Sequence, residues 1–200
     1  MISNTSHFEK FHLCSTVTLL LLGVFIAILA KPGSSLFSWH PFCMSASFFM
    51  LIPFSTKILK YRSVLNYQTR KRAHWMSQLF SMFLVLFGFY AIYENKNRLN
   101  KLHFTTNHGL SGLITVICMA IQSFVFGIPA NWKVFGFSMS KFKKWHVFFS
   151  VVSFLASLVT LILAFGTKFM DGKVDYWFGS GLVIVVYGGL AIGSFRKSFL

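Results

Sequence analysis

The chain has 200 residues, 55% hydrophobic and 12% charged, with 26 Phe against only 4 Asp and Glu. A chain of this length folded in water still exposes about a third of its surface, so a globule cannot hide this much apolar area and most of the chain must be solvated by lipid. Nineteen Lys and Arg give a formal net charge of +15, but they sit in short clusters between apolar runs. That pattern excludes a nucleic-acid-binding face and marks the cations as topology signals and anion attractors.

A helix needs about 20 apolar residues to cross a bilayer. Six stretches qualify in chain order: 13–30, 40–59, 75–93, 108–128, 147–166 and 177–195. The first is read as a retained span rather than a signal peptide, because no A-x-A-like cleavage site precedes Lys31-Pro32-Gly33. The sequence therefore predicts an all-α membrane protein of six transmembrane helices. It forms one domain over residues 1–200, with a core at about 40–166. Cys14, Cys43 and Cys118 lie singly in or beside apolar runs, with no CxxC and no CxxCH, and are read as small packing residues without disulfides.

With six spans both termini share a face, here called inner. On it lie Lys10, Lys57, Lys60, Arg62, Arg70, Lys71, Arg72, Lys133, Lys141, Lys143, Lys144, Arg196 and Lys197. The outer face has Lys31, Lys96, Arg98, Lys101, Lys168 and Lys173, together with three of the four acids, Glu94, Asp171 and Asp175. The positive-inside rule then places both termini in the cytoplasm.

His40, His74, His108 and His146 each begin one of the four middle spans. Because spans alternate in direction, His40 and His108 fall at the outer level, and His74 and His146 at the inner level. The separations within these pairs, 68 and 72 residues, suggest two similar hairpins related by an axis along the membrane normal. Such an axis would bring His40 opposite His108 and His74 opposite His146 across a four-helix core. Facing imidazoles in a bundle suit the two axial positions of a haem iron, and interfacial anchoring of single histidines is the competing reading.

Neighbouring residues fit the first reading. Gly109 and Gly112 follow His108, and Gly112 lies on its face, where a missing side chain would admit a porphyrin. Gln78 lies one turn inward from His74. Gln122 lies about 21 Å beyond His108 by helix rise, near the inner level. Either amide could bond an imidazole or a haem propionate, or serve as an interhelical hydrogen bond. Met44, Met76 and Met119 read as filler, and Phe80, Phe83, Phe87 and Phe154 as core packing between the two levels.

The segments KPGSSLFSWHP around His40, RKRAHW around His74, HFTTNHGLSG around His108 and KKWHVFFS around His146 resemble the cytochrome b-561 family. The first is similar to the small domain-only subgroup of transmembrane ascorbate-dependent reductases. The resemblance spans about residues 10–197. One departure is TNHGL (106–110) where other members carry a SLHSW-like motif. The resemblance implies two non-covalent b-type haems, the outer held by His40 and His108 and the cytoplasmic one by His74 and His146. It implies a transmembrane oxidoreductase, a homodimer, that passes electrons from cytoplasmic ascorbate to monodehydroascorbate or a ferric chelate. It also favours the endoplasmic reticulum or cytoplasmic vesicles over the plasma membrane.

Ascorbate is a monoanion, and the inner loops are basic. The resemblance points to Lys60 and Arg62, and more loosely to Arg70, Lys71 and Arg72, as donor-binding residues. His103 and Phe104, with Lys101 and Asn107, are the nearest acceptor-side candidates. Two other classes compete. A proton or metal transporter would need intramembrane carboxylates or broken helices, yet all four acids lie outside the spans and Pro53 is the only mid-span proline. A membrane adaptor would need no cofactor at all.

Overall fold

The structure, a computed structural model, describes the backbone of residues 2–59, 65–127 and 139–199 and the side chains of residues 13–59, 65–127 and 142–188. The described residues form six helices, which are α1 (Ile2–Ala30), α2 (Trp39–Ile58), α3 (Tyr67–Arg98), α4 (Asn107–Gly127), α5 (Met139–Phe165) and α6 (Tyr176–Phe199), with no strand among them. Five have a stretch long and apolar enough to cross a membrane, and the described apolar part of the sixth is Tyr176–Gly188. The all-α, six-helix expectation holds.

Local chemistry sets the helix ends. α1 stops where Lys31 turns left-handed (φ 48°) and Pro32 cannot continue the ladder. The following serines clasp each other: Ser38 N–H donates to Ser35 Oγ (3.2 Å), and Ser38 Oγ donates to the Ser35 carbonyl (2.6 Å). This turn delivers Trp39 and His40 as the first two residues of α2. Asn66 caps α3 by accepting from Thr69 N–H (2.8 Å), Thr106 caps α4 through Gly109 N–H (3.1 Å), and Asp175 caps α6 through Phe178 N–H (2.8 Å).

Two helices contain widened π turns, Ala46–Leu51 in α2 and Ile121–Gly127 in α4. The first lies directly before Pro53, whose ring would collide with the carbonyl four residues back in a regular helix. Opening the turn there lets α2 continue without breaking. The second contains Gln122 and, like the first, ends two residues before a proline in the sequence, Pro129.

α2 packs on α3, and α4 packs on α5. α1 and α6 close one side by packing on each other and on α2 and α5, while the two hairpins scarcely touch. The space between the hairpins is therefore not filled by helix–helix contact. Buried hydroxyl pairs tie each hairpin internally. Ser47 and Ser81 meet at 2.6 Å across α2–α3, and Thr115 and Thr160 at 2.8 Å across α4–α5.

Three aromatic residues depart from expectation. Phe80, Phe83 and Phe87 are 54%, 61% and 39% exposed and stack as an outward ladder at 6.5 Å spacing. Of the four, only Phe154 packs inside, on the fully buried Tyr187 (4.2 Å). The inward stripe of α3 is instead His74, Gln78, Ser81, Val85 and Gly88, spaced four, three, four and three residues apart. Lipid tails are as apolar as a protein core, so a bulky aromatic gains little by choosing the inside, and small residues are needed where helices close up.

Candidate haem sites between two hairpins

The outer histidines are each the second residue of their helix, His40 in α2 and His108 in α4. The inner ones each lie seven residues in, His74 in α3 and His146 in α5, so both helices start two turns before the expected span boundaries. The same placement in both hairpins is the internal repeat written in structure.

Each imidazole clasps the backbone of its hairpin partner. His40 Nδ1 donates to the Gly88 carbonyl (3.0 Å), and His74 Nδ1 donates back to the Ser55 carbonyl (2.9 Å). In the second hairpin His108 Nδ1 donates to the Thr160 carbonyl (3.2 Å), and His146 bonds the Phe126 backbone. A carbonyl only accepts, so the Nδ1 atoms of His40, His74 and His108 carry the proton, leaving each Nε2 with a lone pair. This is the tautomer that a metal-binding imidazole needs, oriented by a partner outside the metal's own ligands.

The acceptors were not foreseen from the sequence, although a signal exists. Gly88 lies 14 residues after His74, and Thr160 lies 14 after His146, on the faces those histidines share. Gly88 is also sterically required. A Cβ there would lie 3.0 Å from Cys43 Cβ and 3.3 Å from Met44 Cε, inside the contact that sets His40.

The structure brings the outer pair together. The rings of His40 and His108 have centroids 6.3 Å apart and planes at 77°. A metal–imidazole bond of about 2 Å, with the ring centre roughly 1 Å behind the nitrogen, puts two rings that share one metal about 6 Å apart. Both rings line a cavity of about 330 Å³ between the hairpins, walled by apolar residues such as Met44, Phe48, Val116 and Leu161. Gly109 and Gly112 border it, and the nearest atom to a Cβ on Gly112 would be Thr160 Cγ2 at 3.8 Å, so the missing side chain leaves room on the cavity side.

The inner pair is held differently. His146 lies within electrostatic reach of His74. Gln78 Nε2 donates to Ser55 Oγ (2.6 Å), on the residue whose carbonyl holds His74. In the second hairpin Gln122 Nε2 donates to Ser150 Oγ (2.7 Å) and lies 3.1 Å from His146 Nδ1, with Gln122 Oε1 buried and unpartnered among the described residues. The Gln–Ser bond recurs at one level with its residue types exchanged between helices.

Of the other candidates, Lys60 and Arg62 lie outside the described residues. Arg70 is committed in part, since Nη1 donates to the Leu59 carbonyl at the end of α2 (2.6 Å) and the guanidinium lies 6.0 Å from the Tyr67 ring centroid. Lys71 is half-buried and Arg72 exposed. His103 and Phe104 both line the outer cavity. His103 Nε2 donates to Asn97 Oδ1 (2.8 Å), and its ring stacks on Tyr93 at 4.0 Å. Phe104 holds a left-handed backbone (φ 54°), strained for a bulky residue, and packs against Phe89 and His103. Cys43 is buried, Cys118 half-buried and Cys14 exposed, and all three are free.

A sequence profile of eukaryotic cytochrome b561 matches residues 39–171, two thirds of the chain, from the first residue of α2 past the end of α5. The chain belongs to the cytochrome b561 family. It is 34% identical over 161 residues to the mouse transmembrane reductase CYB561D2, an alignment covering 78% of this chain and 68% of that protein. The human transmembrane reductase CYB561D2 is 32% identical over 160 residues with the same coverage. The mouse probable transmembrane reductase CYB561D1 is 26% identical over 160 residues, covering 78% of this chain and 66% of that one. This b561 chain is thus a multi-pass membrane oxidoreductase whose work is transmembrane electron transfer, and haem b is the cofactor its family implies. The outer cavity fits that group in donor chemistry, ring separation and the space beside Gly112. Among the described residues no cluster of three or more His, Cys, Asp or Glu offers a different kind of metal site.

Proposed function

We propose that the protein takes electrons from cytoplasmic ascorbate and passes them across the membrane through two haem b groups to monodehydroascorbate or a ferric chelate. His40 and His108 hold the outer haem, and His74 and His146 the inner one. The observation that carries this reading is the outer pair, two imidazoles 6.3 Å apart whose Nδ1 protons are given to backbone carbonyls. Haem, when bound, would supply a one-electron iron couple.

The chain's own residues do the rest. Backbone carbonyls of Gly88, Thr160 and Ser55 fix the rings before any cofactor arrives. Gln78 and Gln122 brace the inner level through Ser55 and Ser150. Lys60, Arg62, Arg70, Lys71 and Arg72 gather positive charge on the inner face, where it draws an ascorbate monoanion. His103 and Phe104 stand at the outer mouth, where an acceptor approaches. The excess of cations on the terminal side places both termini in the cytoplasm, and the intracellular membranes of the endoplasmic reticulum or vesicles are the proposed location.

The visible spectrum of the purified protein tests the reading. It is expected to show a sharp Soret band, two haems per chain and α bands that rise on adding ascorbate. A correctly folded but colourless protein overturns it.

A further inference from the structure

Two charged side chains reach the largely apolar outer cavity, Lys96 at the end of α3 and Lys168 in the turn between α5 and α6, beside Thr106 and Thr167. Lys96 Nζ donates to the Leu102 carbonyl (3.1 Å). Among the described residues the single ion pair is Arg98 with Glu94. Asp175, the acid at the start of α6, is used by Phe178 N–H. Both lysines therefore stand at the cavity mouth without a carboxylate, although acids are present on the same face.

Haem has a matching asymmetry, a flat apolar ring with two ionised carboxylates on one edge. A cavity apolar in its depth and cationic at its rim orients such a body one way. We propose that Lys96 and Lys168 bind the two propionates of the outer haem, setting its acidic edge at the outer mouth and its apolar edge toward the core. This rests on the haem reading above. Charge-assisted hydrogen bonds from an ammonium to a carboxylate are about twice as strong as neutral ones, and a rim partly shielded from water screens them less than an open surface. The two lysines come from separate elements, α3 and the α5–α6 turn, so the pair also bridges the two hairpins.

The experiment compares haemin with its dimethyl ester, the same ring without carboxylates, by absorbance titration of the full-length protein. It is done in a His74→Ala background, which leaves only the outer pair intact. Haemin is expected to bind at least tenfold more tightly than the ester. K96Q/K168Q should lose that preference while keeping the ester's affinity, and K96R/K168R should keep most of it. A preference that survives in K96Q/K168Q, or is absent from the parent, overturns the proposal. So does a double substitution that alters only the rate of reducing an external acceptor, since the lysines would then serve the acceptor. A parent that binds neither porphyrin defeats the haem reading itself, which separates the two failures. In the otherwise unaltered chain, K96Q and K168Q singly should each speed loss of one haem to an apomyoglobin trap at least threefold, and unchanged rates overturn the proposal by an independent route.

Discussion

The outer and inner histidine pairs each draw one residue from each hairpin but have different support. Outside, both rings donate to helix carbonyls and face a cavity that glycine keeps open. Inside, one ring donates to a carbonyl, while the other meets a backbone group and a glutamine amide that also serves a serine. A carbonyl inside a helix can move only with its helix. A glutamine has three side-chain torsions and can be exchanged without disturbing the backbone. The comparison suggests that the outer site depends on helix packing and the inner site on side-chain chemistry.

The largest expected effect breaks the pairing itself. His40→Ala and His108→Ala should each remove the same haem and take the content from two to one, and His74→Ala and His146→Ala should each remove the other. Low-temperature α-band spectra would check this, and a His40 and a His74 substitution emptying one shared site would contradict the repeat. Next comes Gly88→Val. The new side chain would push into Cys43 and Met44, an overpacking that costs about 1–3 kcal/mol, so the outer haem should be lost while the inner one stays. Equal loss of both would show that the outer site is not specifically tied to that contact.

A smaller effect is expected from Gln122→Leu. Removing a partner just outside the metal's own ligands costs about 10–100-fold in metal affinity in other sites, and here the lower end is expected, since the Phe126 backbone remains. Inner-haem retention and potential should change, with the outer haem unaffected. The smallest effect is kinetic. Neutralising Lys71 and Arg72 should slow reduction by ascorbate several-fold with haem content intact, and the difference should shrink as salt shortens the screening length to about 3 Å near 1 M. A rate that ignores both charge and salt would remove the donor role from this segment. Adding Arg70→Gln should cost some stability as well, because Arg70 also holds the end of α2.

Much of this was legible beforehand. Six apolar runs of about 20 residues give six helices because a helix satisfies its backbone within one such segment inside lipid, where a strand needs partners. The alternation of helix direction separates His40 and His108 from His74 and His146. The inner depth of Gln122 follows from helix rise alone. The aromatic ladder was misplaced for a physical reason. Phe80, Phe83 and Phe87 carry no label telling a protein core from a lipid tail, and they face outward. Helix starts were also placed late on the inner side, because the polar first turns of α3 and α5 look like loop in a hydropathy reading.

By itself, the sequence determined the solvent, the number of helices, the charge asymmetry of the two faces and the depth of each histidine, since these depend on composition and on distance along one helix. The facing of the helices, the Gly88 and Thr160 carbonyls that receive the outer imidazoles, and the turning of Lys96 and Lys168 onto one cavity were decided only by the tertiary structure. His40 meets Gly88 across 48 residues and His108 meets Thr160 across 52. In a bilayer no hydrophobic contrast selects which side of a helix turns inward, so close packing of small residues and hydrogen bonds between distant segments make that choice.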